Sequence, residues 1–295
     1  MASYSVEPLF LKSHDDTLGA DYYRPNKGRK VPVIIMAHGF GAERKFGLPT
    51  FAEAFAAAGY AVVLFDYRGF GGSTGKPREL VSPSHHLEDW RAVLAQVKKR
   101  KDIDQRKIVL WGTSFSGGHV MVTAAREKGI RAIITQVPHV DGLASALLYP
   151  KHLFPQAMLL AAKDFAGSKL GRDPIRVPVV ATSGVRCLAA QDCYQDFMSM
   201  VQAGSTWSGQ VPARILLTLS QYRPIKEAHK IKCPALVIAA IQDNLIPIDS
   251  TRITARKIKQ VQYVEWPMGH FDPYRGAWFQ ENVRTQLAFL KAQLS

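Results

Sequence analysis

Short, continuous apolar runs alternate with amphipathic stretches along most of the chain. Val33-Ala37, Ala61-Phe65, Ile108-Trp111, Ala132-Val137 and Ala235-Ile241 have the character of buried parallel strands, and Gln262-Trp266 is a further strand. Ahead of them, the segments around Val6-Leu11 and Thr17-Tyr23 flank the polar cluster Ser13-His14-Asp15-Asp16 and read as an antiparallel hairpin. Helical spacing fills the gaps, over Thr50-Ala58 (ended by Gly59) and over His86-Val97. At the end of the chain, Phe279, Val283, Leu287, Leu290 and Leu294 share one helical face. Strands alternating with helices predict an α/β protein with a mostly parallel, eight-stranded sheet covered on both sides.

The rhythm fails between Pro138 and Lys232. Two apolar helical stretches, Leu153-Ala162 and Cys193-Val201, are separated by Gly and Pro without clean strand-helix alternation. This stretch reads as a mostly helical cap inserted between two strands. The expected division is a core of residues 1-137 and 233-295 with an inserted cap of 138-232. Apolar cap residues such as Leu153, Phe154, Leu159, Leu160, Phe197 and Met198 either line a pocket or form the cap's own core.

Composition narrows the class. With 295 residues, 47% of them hydrophobic, the chain is long enough for one large core with an inserted subdomain. No run approaches the roughly 20 apolar residues of a membrane span. The segment Met1-Phe10 lacks the basic-then-apolar pattern of a signal peptide, so a cytoplasmic location is expected. Three cysteines, Cys187, Cys193 and Cys233, show no framework spacing and read as reduced thiols, with a Cys187-Cys193 pair as the alternative. No cluster has metal-ligand spacing. His85-His86 is adjacent, so the two rings diverge on a helix, and a solvated pair near a helix start is expected. No metal and no cofactor is expected.

The formal net charge of +14 concentrates in Lys98, Lys99, Arg100, Lys101, Arg106 and Lys107, and again in Arg252, Arg256, Lys257 and Lys259, which fall on another helical stretch. A solvated basic surface accounts for it plainly. An acidic protein partner, such as an acyl carrier protein, is the alternative. No nucleic-acid module or aromatic platform accompanies the charge, so no nucleic-acid partner is expected.

Candidate chemistry lies at strand ends, where open parallel sheets gather their active groups. The run Ile108-Trp111 leads into Gly112-Thr113-Ser114-Phe115-Ser116, followed by a helix-like segment. That is the pattern of a nucleophile elbow, a tight strand-to-helix turn that needs small residues on either side of an exposed serine. Asp243 follows the strand Ala235-Ile241, and His270 follows Gln262-Trp266. The chemistry needs each type: a serine hydroxyl reacts only when a base takes its proton, and histidine exchanges protons near neutrality. The carboxylate orients the imidazole and stabilises its charged form. Two backbone N–H groups must hold the oxyanion. Phe115, after the nucleophile, and Phe40, in the loop His38-Gly39-Phe40-Gly41, are the candidates, and losing one such donor costs on the order of 3–4 kcal/mol.

Neighbouring residues have plainer readings. His38 is expected to be structural, and Asp272 is the fallback acid. The turn Asp66-Tyr67-Arg68-Gly69-Phe70-Gly71-Gly72-Ser73 lacks the lysine and spacing of a phosphate loop and reads as a turn framing the pocket.

Taken together, these segments resemble the landmarks of the α/β-hydrolase superfamily over nearly the whole chain. Within it the chain is similar to serine hydrolases related to dienelactone hydrolases and Xaa-Pro peptidases. The surroundings of Ser114 and His270 also resemble trans-acting polyketide acyltransferases and thioesterases. Ser116 departs from the usual glycine, a change a small residue should tolerate. Dehalogenases and epoxide hydrolases of this fold use an aspartate nucleophile, which Ser114 excludes. The resemblance implies a metal-free serine hydrolase acting on a small-molecule ester or thioester through an acyl-enzyme at Ser114. Acyl transfer by the same intermediate is the alternative, and a non-catalytic binding protein a third.

Overall fold

The computed structural model describes residues 3–294 apart from 27, 29 and 191. Strands β1 (Tyr4–Ser13) and β2 (Asp16–Pro25) form the hairpin. There follow β3 (Val31–Ala37), α1 (Pro49–Ala57), β4 (Ala61–Phe65), α2 (Pro83–Val97), β5 (Ile103–Thr113), α3 (Phe115–Arg126) and β6 (Ala132–Gln136). An irregular stretch carries α4 (Gly142–Leu147), α5 (Phe154–Lys169), β7 (Arg176–Pro178), α6 (Cys193–Met198), β8 (Gln210–Pro212) and α7 (Ile215–Thr218). The chain closes with β9 (Ala235–Ala240), α8 (Ile248–Arg256), β10 (Val261–Trp266) and α9 (Gly276–Leu294).

Eight strands make one sheet in the order β1-β2-β4-β3-β5-β6-β9-β10. The β1/β2 and β2/β4 pairs are antiparallel and the rest parallel. Successive side chains of a strand point to opposite faces. Val33, Ile35, Val63, Phe65, Ile108 and Leu110 therefore pack on one face, against Trp90, Val93 and Leu94 of α2 and Val120 and Met121 of α3. Ile34, Met36, Val62, Leu64, Val109 and Trp111 pack on the other, against Phe51 and Phe55 of α1 and Phe289 and Leu290 of α9. A strand buried on both faces has no room for alternation, which is why its sequence reads as a continuous apolar run. Among the described residues no helix is long and apolar enough to cross a membrane.

Several expectations change. The apolar run at Ile108 is only the second half of a strand that starts at Ile103. The stretch between β6 and β9 is not purely helical, because β7 and β8 pair antiparallel as a two-stranded ribbon outside the main sheet. Lys257 and Lys259 lie beyond the end of α8. Lys98–Lys101 precede β5 and so sit at the end of the sheet opposite Ser114. The eleven residues of β5, at ~3.3 Å each, put the two on the order of 30 Å apart. Within the basic cluster, Arg100 pairs with Asp102 and Arg106 with Asp104.

Asp164 of α5 holds the irregular stretch together. Its fully buried carboxylate accepts the amides of Ile175 and Arg214, both at 2.9 Å, and two bonds from the Arg214 guanidinium at 2.7 and 3.1 Å. Further bonds tie the stretch to the core: Trp207 Nε1 donates to the Gly41 carbonyl at 2.8 Å, and Arg176 pairs with Glu79 at 3.2 Å. Removing one partner of a buried ion pair leaves the other uncompensated. Asp164→Ala should therefore cost about 3 kcal/mol or more, seen as a lower Tm and faster tryptic cleavage between residues 138 and 232.

Candidate active site

Where β5 ends, Ser114 takes φ 52° and ψ −121°, and α3 starts at the next residue. Such a reversal brings backbone against backbone, so side chains must be missing at defined places. A β-carbon on Gly112 would collide with the Ser116 carbonyl oxygen, and one on Gly117 would come within 2.8 Å of Pro138 Cβ. Position 116 is different. The buried Ser116 hydroxyl lies 2.9 Å from the Tyr67 hydroxyl, which in turn accepts Trp90 Nε1–H at 3.0 Å. The serine in place of glycine is thus a bonded part of the core as well as a tolerated one.

The loops after β9 and β10 bring two more side chains to Ser114. His270 Nε2 lies 3.1 Å from Ser114 Oγ, and His270 Nδ1 lies 2.7 Å from Asp243 Oδ2. The amides of Leu245 and Ile246 donate to Asp243 Oδ1 at 2.9 and 2.8 Å, which leaves Oδ2 for the imidazole. The His270 and Asp243 side chains are each only 3% exposed, so water competes little for these bonds. Asp272 does another job: its Oδ2 accepts the Gly269 amide at 2.7 Å and shapes the turn that presents His270.

The loop after β3 abuts the elbow. A β-carbon on Gly39 would lie 3.2 Å from Ser114 Cβ. The backbone N–H groups of Phe40 and Phe115 have no acceptor among the described residues, and the two rings meet edge to face at 5.4 Å. His38 is buried with Nδ1 3.0 Å from the Gly39 carbonyl. The turn at residues 66–73 packs behind His38 through the rings of Tyr67 and Phe70. The buried Asp66 carboxylate anchors it, accepting the Arg44 and Gly72 amides at 2.7 and 3.0 Å and pairing with the Arg44 guanidinium. Contrary to expectation this turn does not frame the pocket, since none of its residues lines either cavity beside Ser114.

Of those two cavities, the larger is about 100 Å³. Phe40 and Phe115 border it together with Leu148, Phe154, Met158 and Leu188, and among the described residues no Asp or Glu lines it. A smaller cavity of about 30 Å³ touches Ser114 and His270 and is closed by Phe46, Phe197 and Tyr274. Of the apolar residues that could have lined a pocket, Phe154 and Phe197 do so, Leu153 is core, and Leu159 and Met198 are exposed.

A layer of histidines under the elbow escapes the linear sequence. His86 stacks on Tyr67 at 3.9 Å, and its Nδ1 lies 3.2 Å from His119 Nε2. His119 Nδ1 lies 2.7 Å from the Tyr222 hydroxyl, and the His139 ring stacks parallel to the Tyr222 ring with centroids 6.3 Å apart. His86 is therefore no member of a solvated pair. Burial, reinforced by neighbouring histidines, holds the His86 and His119 pKa values well below the ordinary range. Burial also lowers His38 against the opposing pull of Asp66, and takes His139 down to about 4. All three cysteines are free thiols, and burial raises the Cys187 thiol well above its usual range. Among the described residues no group of three or more His, Cys, Asp or Glu side chains is placed to hold a metal ion.

The X-Pro dipeptidyl-peptidase (S15) family matches residues 14–271, and the chain belongs to that family. It is 39% identical to the quorum-quenching protein AidA of Acinetobacter baumannii (strain MDR-ZJ06) over 280 residues, 95% of this chain and 92% of the other. It is 26% identical to the polyketide transferase af380 of Aspergillus fumigatus over 270 residues, covering 89% and 90% of the two chains. The crystal structure of the α/β hydrolase GrgF from Penicillium sp. sh18 superposes with a TM-score of 0.84 at 21% identity, over 98% of this chain and 99% of that one. The fold is therefore that of the α/β hydrolases.

The histidine layer has a measurable consequence. Unfolded, these side chains titrate near pH 6.5; folded, His38, His86, His119 and His139 stay neutral to lower pH. Below about pH 6.5 the unfolded chain binds protons that the folded chain refuses, so stability is full above that pH and falls as the pH drops. The urea midpoint should decline steadily from pH 7 to pH 5, and a flat profile over that window would contradict neutral burial.

Proposed function

We propose that this chain is a serine hydrolase that cleaves small-molecule carboxylic esters or thioesters through an acyl-enzyme on Ser114. The observation that carries the reading is the unbroken chain of contacts from Asp243 Oδ2 to His270 Nδ1 (2.7 Å) and from His270 Nε2 to Ser114 Oγ (3.1 Å), at the mouth of an apolar cavity. Residues 138–232 act as the cap that shapes that cavity.

In the first half-reaction His270 Nε2 takes the Ser114 proton as Oγ attacks the carbonyl carbon. The carbonyl oxygen gains negative charge and is held by the N–H groups of Phe40 and Phe115, which have no other acceptor among the described residues. Asp243 stabilises the imidazolium without taking its proton. The tetrahedral adduct collapses, His270 gives its proton to the departing alcohol or thiol, and the acyl group remains on Ser114. In the second half, His270 deprotonates a water that attacks the acyl carbon, and Ser114 is regenerated as the acid leaves.

The family's description names a dipeptidyl-peptidase, whose substrate carries an amino-terminal ammonium group. The cavity beside Ser114 has no carboxylate in its lining to compensate such a charge, and burying it alone would be costly. A neutral acyl chain suits the site better. Acyl transfer is the second reading, favoured by the similarity to a polyketide transferase along most of both chains. An alcohol or amine would then displace the water. An acyl carrier protein as donor would have to meet the cavity mouth, since Lys98–Lys101 lie at the far end of β5.

Ser114→Ala should abolish labelling by a fluorophosphonate probe and lower kcat/KM on p-nitrophenyl esters by about 10⁶-fold, and Asp243→Asn by about 10⁴-fold. Undiminished turnover in Ser114→Ala sinks the proposal, and a folded wild-type protein that takes up no probe points to a binding role. Supplying an acyl thioester with candidate acceptors separates the two reactions: free acid alone identifies a hydrolase, and an acylated acceptor a transferase.

A further inference from the structure

Two polar side chains in the larger cavity take no part in the reaction sequence. His139 and Ser145 both line it beside Ser114. His139 is only 7% exposed, and its Nε2 has no hydrogen-bond partner among the described residues. The same is true of the Ser145 hydroxyl oxygen, which is also shielded from solvent. Buried polar atoms are nearly always paired, because an unpaired one forfeits its hydration and gains nothing in return. Neither atom is satisfied by the described residues, and the cavity that both residues line is where a bound group can meet them.

The place and chemistry of that group follow from the surroundings. The His139 amide donates to the Ser114 carbonyl at 2.8 Å, and the His139 ring lies 5.3 Å from the ring of Phe115, the residue after Ser114. Burial keeps the imidazole neutral. A neutral ring has one donor and one acceptor nitrogen, and a serine hydroxyl both donates and accepts. Such a pair meets a carbonyl or hydroxyl oxygen and gives no compensation to a full charge. Leu148, Phe154, Met158, Leu188 and Leu216 supply only apolar surface around it.

We propose that His139, with Ser145, recognises an uncharged oxygen on the acyl chain, a hydroxyl or keto group within the first few carbons of the scissile carbonyl, ahead of an apolar tail. This specificity role rests on the serine-hydrolase reading. The preferred substrates are then oxygenated acyl esters or thioesters, and plain fatty acyl groups of equal length are poorer because they leave both polar atoms buried and unpaired.

The test uses matched acyl N-acetylcysteamine thioesters that differ only by a hydroxyl on the third carbon. The wild-type protein should favour the hydroxylated one in kcat/KM by about tenfold, the worth of one hydrogen bond. His139→Phe keeps the ring and removes the nitrogens, and should bring that ratio close to one. His139→Gln should restore part of it, and Ser145→Ala should lower it by a smaller factor. A wild-type protein without preference overturns the inference even if His139→Phe fails to fold, and so does a ratio that His139→Phe leaves unmoved. Fluorophosphonate labelling of Ser114 in the wild type separates the two failures. Labelling and turnover without preference defeats the specificity role alone, whereas neither labelling nor turnover defeats the hydrolase reading beneath it.

Discussion

The site depends on one peptide unit held where an L-residue does not rest comfortably. Ser114 has positive φ, a conformation that costs about 1–3 kcal/mol and persists only where the surroundings over-determine it. Here the restraint is dense. The Ser114 amide donates to the Gln136 carbonyl at 2.9 Å, and its carbonyl accepts the amides of Gly117, Gly118 and His139 at 3.0, 3.4 and 2.8 Å. The glycines at 112, 117 and 118 allow α3 to press against β5 and the segment after β6 closely enough for those bonds to form. The strain is thus spread over the junction of two central strands, the most buried part of the molecule.

Sheet order then divides the labour. β6 lies between β5, which carries Ser114, and β9, which leads to Asp243. The chain that departs from the end of β6 leaves from the centre of the site and passes over it, so residues 138–232 supply most of the cavity wall. Ser114, Asp243 and His270 follow β5, β9 and β10, with the Phe40 loop after β3. Chemistry and cavity come from different lengths of chain. They are joined by a few bonds, among them those from Trp207 to Gly41 and from Arg176 to Glu79.

What could be read in the sequence and what could not have the same origin. That Ser114, Asp243 and His270 would meet, with Phe40 beside Phe115, was legible because each belongs to a short local pattern: an apolar strand, then a glycine-bearing or polar turn. The five central strands were legible because burial on both faces forces continuous apolar runs, and the hairpin because a polar turn separates two amphipathic segments. The β7–β8 ribbon was not, since each strand has three residues and ends at a proline, Pro178 or Pro212. His86, His119 and Tyr222 were also hidden, because the bonds that define their layer join positions 33 and 103 residues apart. A histidine next to another histidine at a helix start carries no local sign that it will be stacked against Tyr67. The cavity lining was half legible: Phe154 and Leu159 look alike in sequence and are both exposed, and only the packing of α5 decides that Phe154 also borders the cavity.

The bond from the His139 amide to the Ser114 carbonyl separates what can vary from what cannot. The amide is committed to the Ser114 backbone, and every residue type except proline can supply it. The side chain at that position meets the elbow only through the Phe115 ring, 5.3 Å away. A substitution at position 139 can therefore change the wall of the cavity while leaving in place the bond that holds the Ser114 carbonyl.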